Sequence, residues 1–455
     1  MIKFYLYDLE EWNMHLYGTQ SVNNLGHLTI GEVDSVELAD TYGTPLLVYD
    51  IALFKQRAKA FKDTFKKAGI KAQVAYASKA FSSIAIYEVA KQMDLSLDVV
   101  SGGELYTAVA ADFPREKIHF HGNNKSFEEL QYAFDEKIGC IVVDNFMEID
   151  LVMEISEARQ QEMNVLLRVT PGVNASTHDY ITTGQEDSKF GFDLKNGQAD
   201  DAFLKLFNHP YITVLGMHCH IGSQIFETDA FRLAAEALME KMVEWREKFK
   251  FVCPVLNLGG GFGIRYTSED KPLPPAAYVE EMENVVLSMT RKHNYPLPEI
   301  WIEPGRSLVG DAGTTLYKTG STKTVPGIRT YVAVDGGMSD NIRPALYGAK
   351  YSAVSASKMM DPHSSKVTIA GKCCESGDKL IEDTYLAEPT EGDIIAVFCT
   401  GAYTYSMASN YNRLPKPAVV FCENGEHQLV IRRETKDDII RLDIPLQKAD
   451  SSKLL

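Results

Sequence analysis

Residues 72–100 read AQVAYASKAFSSIAIYEVAKQMDLSLDVV. An apolar run at 72–77, an amphipathic stretch at 83–93 and a second apolar run at 95–100 make one strand–helix–strand unit. Outward from this unit, apolar runs rich in β-branched residues recur at 117–120, 140–143, 165–169, 214–219, 255–258 and 300–302. Amphipathic stretches such as 127–136, 230–248 and 278–293 separate most of them. Eight strands alternating with helices predict an α/β fold, a (β/α)8 barrel, with its site at the C-terminal ends of the strands. The first four strand-to-strand steps are roughly twenty to twenty-five residues long. Later steps nearly double, so the later loops carry inserts. One insert, at 176–192, is polar and contains glycine, and is a candidate lid or substrate wall.

The barrel is expected over 51–312, opening with a helix at 51–67. Residues 28–50 read as short strands and turns. After Gly313 helical periodicity stops and strands follow at 329–334, 366–370, 393–398, 418–422 and 428–432, separated by turns such as Asp335-Gly336-Gly337. This predicts a C-terminal all-β sandwich or barrel domain, made of 313–455 together with 14–50. Residues 1–13 carry Asp8, Glu10 and Glu11 and read as an N-terminal extension before Met14.

The chain has 455 residues, enough for two or three domains. Its 45% hydrophobic and 24% charged content is that of an ordinary globular protein. A net charge of −16 disfavours nucleic acid, because phosphate neutralisation needs clustered Lys and Arg. Seven cysteines, an odd number, do not form a disulfide framework, and with no CxxC pair zinc is disfavoured. Free thiols predict a cytoplasmic protein. There is no signal-peptide pattern and no run long enough to span a bilayer.

The strand ends gather Lys79, Asp98, His121, Arg168, His220, Gly259-Gly260-Gly261 and Glu303-Pro304-Gly305-Arg306. Lys79 follows the first strand; in a partly dry pocket its pKa is expected to fall, freeing it to bond an aldehyde. The glycine triplet reads either as a tight turn or as backbone N–H groups open to a phosphate. It does not fit a dinucleotide fingerprint, since no acidic residue closes such a unit. Glu303 can keep a pyridine nitrogen protonated, and Arg306 offers a fork to phosphate or carboxylate; the plain alternative is a Glu303–Arg306 ion pair. His218 and His220, at alternate positions, hint at a metal, but no acid or thiol is seen to complete a site, so no metal is expected. Cys374, beside Glu375 and Asp378 in a glycine-containing loop, reads as an acid able to deliver one proton. The stretches 341–347 and 401–405 have a similar polar, turn-like character.

Together the motifs at 76–79, 98–105, 180–192, 220–224, 259–263, 303–307, 343–347, 374–378 and 401–412 resemble the pyridoxal-phosphate decarboxylases with an alanine-racemase-like barrel, in particular the diaminopimelate decarboxylases. The resemblance implies that Lys79 carries pyridoxal 5′-phosphate, that His220 packs on its ring and that Glu303 pairs with the ring nitrogen. Ser223, Gly261, Gly305 and Arg306 would surround the phosphate, with Pro304 also in the cofactor site, and Tyr403 would reach cofactor and substrate. Arg306, Arg343 and Tyr347 would grip the distal end of the substrate, Glu375 its distal ammonium, and Cys374 would be the proton donor. It further implies decarboxylation of meso-2,6-diaminopimelate to L-lysine and CO2, the last step of lysine biosynthesis. The implied assembly is a homodimer in which Cys374 and its neighbours enter the partner's site. Two arginines and a glutamate at the distal end suit a zwitterionic terminus better than the lone ammonium of ornithine.

Overall fold

The computed structural model describes residues 15–173 and 188–446. The expected N-terminal extension, most of the 176–192 insert and the start of the 180–192 motif lie outside these residues.

Eight parallel strands close on themselves in chain order: Ala72–Ala77, Ser96–Val99, Ile118–Phe120, Cys140–Val143, Met163–Thr170, Ile212–His218, Val255–Asn257 and Glu299–Ile302. The eighth pairs back with the first, Ile300 to Ala72 and Ile302 to Val74, and closes the barrel. Four of these strands are buried along their whole length and the other four along most of it, which is why they read as runs rather than as alternation. Their interior is filled by Cys140, Val142, Leu166, Val255 and Trp301, with His119 stacked on Trp301 at 4.2 Å.

The helices start where polar side chains satisfy the first free N–H groups. Asp50 caps Ile51–Ala68, Ser83 caps Ile84–Gln92, and Ser126 with Glu129 forms a capping box on Phe127–Asp135. Asp50 also accepts from Thr19 through its second oxygen, at 2.8 Å, and so ties the N-terminal segment to the first barrel helix.

The remaining strands make a mixed sheet around the thirteen-residue strand Gly313–Val325, which pairs with Leu46–Asp50, Ile394–Phe398 and Arg329–Val334. Leu46–Asp50 precedes the barrel yet pairs with Gly313–Val325 and Ala418–Glu423. Two expectations need correction. Residues 28–50 contain the helix Ser35–Tyr42, capped by Asp34, besides strands and turns. Helix also does not stop at Gly313: Arg343–Tyr347 and Lys436–Ile440 are short helices. Arg343 therefore sits on a helical turn rather than in an irregular loop.

The seam between the two parts aligns the mouth of the first barrel strand. Ala80 O accepts from Tyr403 N at 2.8 Å and from Ser406 Oγ at 2.9 Å, and Tyr49 stacks on Phe81 at 4.5 Å. Tyr403 is thereby fixed next to Lys79 by a backbone hydrogen bond across the seam. No helix among the described residues is long and apolar enough to cross a membrane, and all seven cysteines are free thiols.

Candidate active site

Lys79 stands on a single turn after the first strand, with its side chain 37% exposed. Its amine lies 3.5 Å from Asp98, a fully buried carboxylate whose two oxygens have no hydrogen-bond donor; His121 Nε2 is 3.8 Å from the other oxygen. The expected drop in the Lys79 pKa does not occur. Burial pulls it down most strongly, but Asp98, then Tyr403 and Glu303, together outweigh that pull and raise it. A buried acid with no other donor needs a cation beside it, and Lys79 is that cation. Lys125 also lines the cavity, but its ammonium is bonded to Gly122 O, Val142 O and Glu148, so its three donors are committed to anchoring the wall.

Glu303 ends the eighth strand, almost fully buried. Asn257 Nδ2 donates to Oε1 at 2.6 Å, His121 Nε2 lies 3.0 Å from Oε1, and His218 Nε2 lies 3.0 Å from Oε2. Burial would push this carboxyl up; His121 and His218 outweigh it and hold it well below the usual carboxylate range. Burial drives His218 itself down to about 4, so it meets Glu303 as a neutral donor. An acid does complete a cluster with the histidines, contrary to the sequence expectation: ligand atoms of His121, His218 and Glu303 lie within 4.8 Å of one another. His218 joins that cluster, whereas His220 lines the cavity beside Lys79.

The glycine triplet serves the fold and the site together. At Gly259 a Cβ would lie 2.3 Å from Cys219 O, and at Gly260 2.0 Å from Glu303 O, so neighbouring strand ends approach too closely for any side chain. Their N–H groups are directed to Asn257 Oδ1 and His220 Nδ1. Gly261 is the member that faces the cavity, with Ser223, Gly305 and Arg306 around it. Arg306, 6% exposed, donates to Ser223 Oγ from Nε at 3.2 Å and from Nη2 at 2.9 Å, and stacks over Tyr403 at 4.9 Å. It turns to Ser223 and Tyr266, not to Glu303, so the plain ion-pair reading of this motif is set aside. Pro304 does not line the cavity; its carbonyl takes Ala77 N and joins the eighth strand end to the first.

Next to this cradle a second cavity is bounded by Ser223, Tyr266, Arg306, Arg343, Tyr347 and Tyr403. Arg343 Nη1 donates to the hydroxyls of Tyr266 and Tyr351, both at 3.0 Å, and Arg306 Nη1 donates to the same Tyr266 hydroxyl. One phenol thus bridges two buried guanidinium groups. Burial opposes the charge on Arg343, but the two phenols facing it outweigh that and raise its pKa. Tyr266, Tyr351, Asn257 and the task of His121 were missed from sequence; only Asn257, a polar residue inside an apolar run, left a signal there.

Cys374 and Glu375 are both exposed and lie outside the cavities around Lys79. Cys374 N donates to Asn412 Oδ1 at 2.7 Å, which pins the loop to the 401–412 stretch.

The residues around Lys79 fit pyridoxal phosphate. An amine for the aldehyde, a buried carboxylate for the ring nitrogen, and a serine, a guanidinium and a glycine wall for the phosphate meet in one cavity, and at Gly261 a Cβ would sit 2.4 Å from Gly222 O. Residues 51–310, more than half of the chain, match the pyridoxal binding domain of the pyridoxal-dependent decarboxylases. The chain is 62% identical to the diaminopimelate decarboxylase of Bacillus subtilis over 95% of its own length and 99% of that relative's. It is similar in structure to the diaminopimelate decarboxylase of M. jannaschii, with TM-score 0.88, 35% identity, and 94% and 98% of the two chains covered. A Helicobacter pylori diaminopimelate decarboxylase complexed with L-lysine superposes with TM-score 0.82 at 30% identity, covering 90% and 98%. On the barrel, the site and these relationships together, the chain belongs to the diaminopimelate decarboxylase family of pyridoxal-dependent decarboxylases.

Proposed function

We propose that this protein removes CO2 from meso-2,6-diaminopimelate to give L-lysine, the last step of lysine biosynthesis, with pyridoxal 5′-phosphate as cofactor. The observation that carries the substrate is the pair of buried arginines sharing Tyr266 beside the Lys79 cavity. Two guanidinium groups prepared around one opening suit a ligand that brings its own carboxylate at the far end. A substrate ending in an ammonium alone would leave both guanidinium charges without a carboxylate counter-ion.

Bound at Lys79, the cofactor supplies an electron sink for the pair left behind when the Cα–carboxylate bond breaks. The chain does the rest. Lys79 holds the aldehyde end and His220 packs on the ring. Glu303, kept ionised, holds a proton on the ring nitrogen. Ser223, Gly261, Gly305 and Arg306 receive the phosphate, and Tyr403, fixed by Ala80 O, closes the wall between cofactor and substrate. Arg306, Arg343 and Tyr347 orient the distal carboxylate, which sets the carboxylate to be lost in the reactive position. The site is completed in a homodimer: Glu375 of the partner subunit takes the distal ammonium, and Cys374 of the partner subunit delivers the proton to Cα. The exposure of Cys374 and Glu375, and their absence from the lining of their own cavity, support this sharing. A cytoplasmic location belongs to the same reading.

Product analysis after incubation with meso-diaminopimelate tests it. L-lysine and CO2 in equal amounts are expected; faster turnover of ornithine, or no lysine, refutes the assignment.

A further inference from the structure

His121 and His218 converge on Glu303, and the reaction as described gives neither a task. They come from the ends of the third and sixth barrel strands and meet edge to face, with ring centroids 4.8 Å apart. Each presents Nε2 to a different oxygen of the same carboxylate, at 3.0 Å, while Asn257 donates to Oε1 at 2.6 Å. All four side chains are buried. An ionised carboxylate accepts only, so His218 must carry its proton on Nε2, and the 3.0 Å approach of His121 is favourable when its Nε2 carries one too. A carboxylate offers about four lone-pair positions. Oε1 accepts from Asn257 and is approached by His121 Nε2 at 3.0 Å, Oε2 is bonded to His218, and the remaining position is on Oε2. The convergence that brings three possible metal ligands within 4.8 Å is accounted for by the His218 hydrogen bond and the 3.0 Å approach of His121 to the same carboxylate.

We propose that His121 and His218 are positioning residues that clamp Glu303 from two sides, keeping it an ionised acceptor with one oxygen left for the ring nitrogen of the cofactor. This rests on the reading that Glu303 is the partner of that nitrogen. Without the histidines Asn257 alone is left to compensate the buried charge, and the shared proton moves from the ring towards Glu303. The ring then draws electrons less strongly, although substrate contacts are untouched. The expected kinetic sign is a lower kcat with little change in KM.

The test uses holoenzyme reconstituted with pyridoxal phosphate carrying nitrogen-15 in its ring, and reads the ring resonance alongside kcat and KM. In the native protein the resonance is expected at the pyridinium position. In His121→Leu, His218→Leu and the double variant it moves towards neutral pyridine, with kcat lowered on the order of ten- to a hundredfold and KM within about threefold. His121→Gln and His218→Gln keep a side-chain N–H at similar reach, and are expected to hold the native resonance. Leu variants with the native resonance overturn the proposal, as do Gln variants that shift as far as the Leu ones, since the rings then act by packing. If the Leu variants do not fold, the Gln pair decides alone: a native resonance supports the clamp, and a shift towards neutral pyridine in either Gln variant overturns it. Glu303→Gln separates the two levels. If it leaves the resonance in place, Glu303 is not the nitrogen's partner and the underlying reading fails; if it shifts the resonance while the histidine variants do not, the clamp alone fails.

Discussion

Replacing Tyr266 by Phe removes one oxygen and keeps the ring, and that oxygen holds two arginines. Arg343 Nη1 loses one of its two phenolic acceptors but retains Tyr351 at 3.0 Å. Arg306 loses its Nη1 partner but keeps Ser223 through Nε and Nη2 and its stacking on Tyr403. Each guanidinium also still faces the ring of residue 266, at 5.7 Å for Arg306 and 5.4 Å for Arg343. A hydrogen bond to a charged group contributes about 1.5–3 kcal/mol. The two lost bonds face a cavity that water can enter, so the lower end for the pair, about 1.5 kcal/mol, is the better expectation. That corresponds to roughly tenfold in affinity. The distal end of the substrate does not change during the reaction, so its grip is the same in ground and transition states. The loss should therefore raise KM about tenfold with kcat within about twofold. Steady-state kinetics with meso-diaminopimelate, with Tyr351→Phe as the variant that disturbs Arg343 only and should show a smaller rise, provides the assay. A KM within about twofold of the native value, or a collapse of kcat at constant KM, would refute the view that this phenol organises the distal site.

Lys79→Ala should abolish the cofactor absorption band and borohydride-dependent labelling, and a labelled peptide containing Lys125 instead would transfer the attachment to that residue. Cys374→Ala should retain the band and lose turnover. Mixing it with Lys79→Ala and allowing subunits to exchange should restore about a quarter of native activity, because half of the randomly formed dimers hold one complete site; no recovery despite demonstrated exchange argues against shared sites. Glu283, 4% exposed with Oε1 unpaired among the described residues, is pushed up to about 7, chiefly by burial. A raised acid stabilises the fold fully below its ordinary 4.5 and loses that contribution as pH climbs through about 7. Glu283→Gln should thus gain stability relative to the native chain between pH 5 and pH 8, by at most about 3 kcal/mol; parallel unfolding curves at both pH values refute it.

The difference between what could and could not be read from the sequence follows from where each side chain gets its surroundings. Barrel strands are buried on both faces, so each stands out as an apolar run, and the residues just beyond them, Lys79, His220, Gly261 and Glu303, are marked as site residues by position alone. The strand Gly313–Val325 gave no such mark. Its first half is buried between Leu46–Asp50 and Ile394–Phe398, its second half is largely exposed against Arg329–Val334, and a register shift between Thr319 and Thr322 breaks the alternation. The helix Ser35–Tyr42 is two turns long and buries only Ser35, Leu38 and Ala39, too little for a period to emerge. At the site the division is the same. The cofactor end is built from the ends of strands in one barrel and was legible. The distal end is built across the seam, with Tyr266 from a barrel loop and Arg343 and Tyr351 from the β part, and no local pattern ties residues separated by 77 positions. Arg306 belongs to both ends, bonding Ser223 on the phosphate side and Tyr266 on the substrate side. A decarboxylase built this way can change its distal specificity by substitutions in the β part, at Arg343 and Tyr351, without disturbing the strand ends that hold the cofactor.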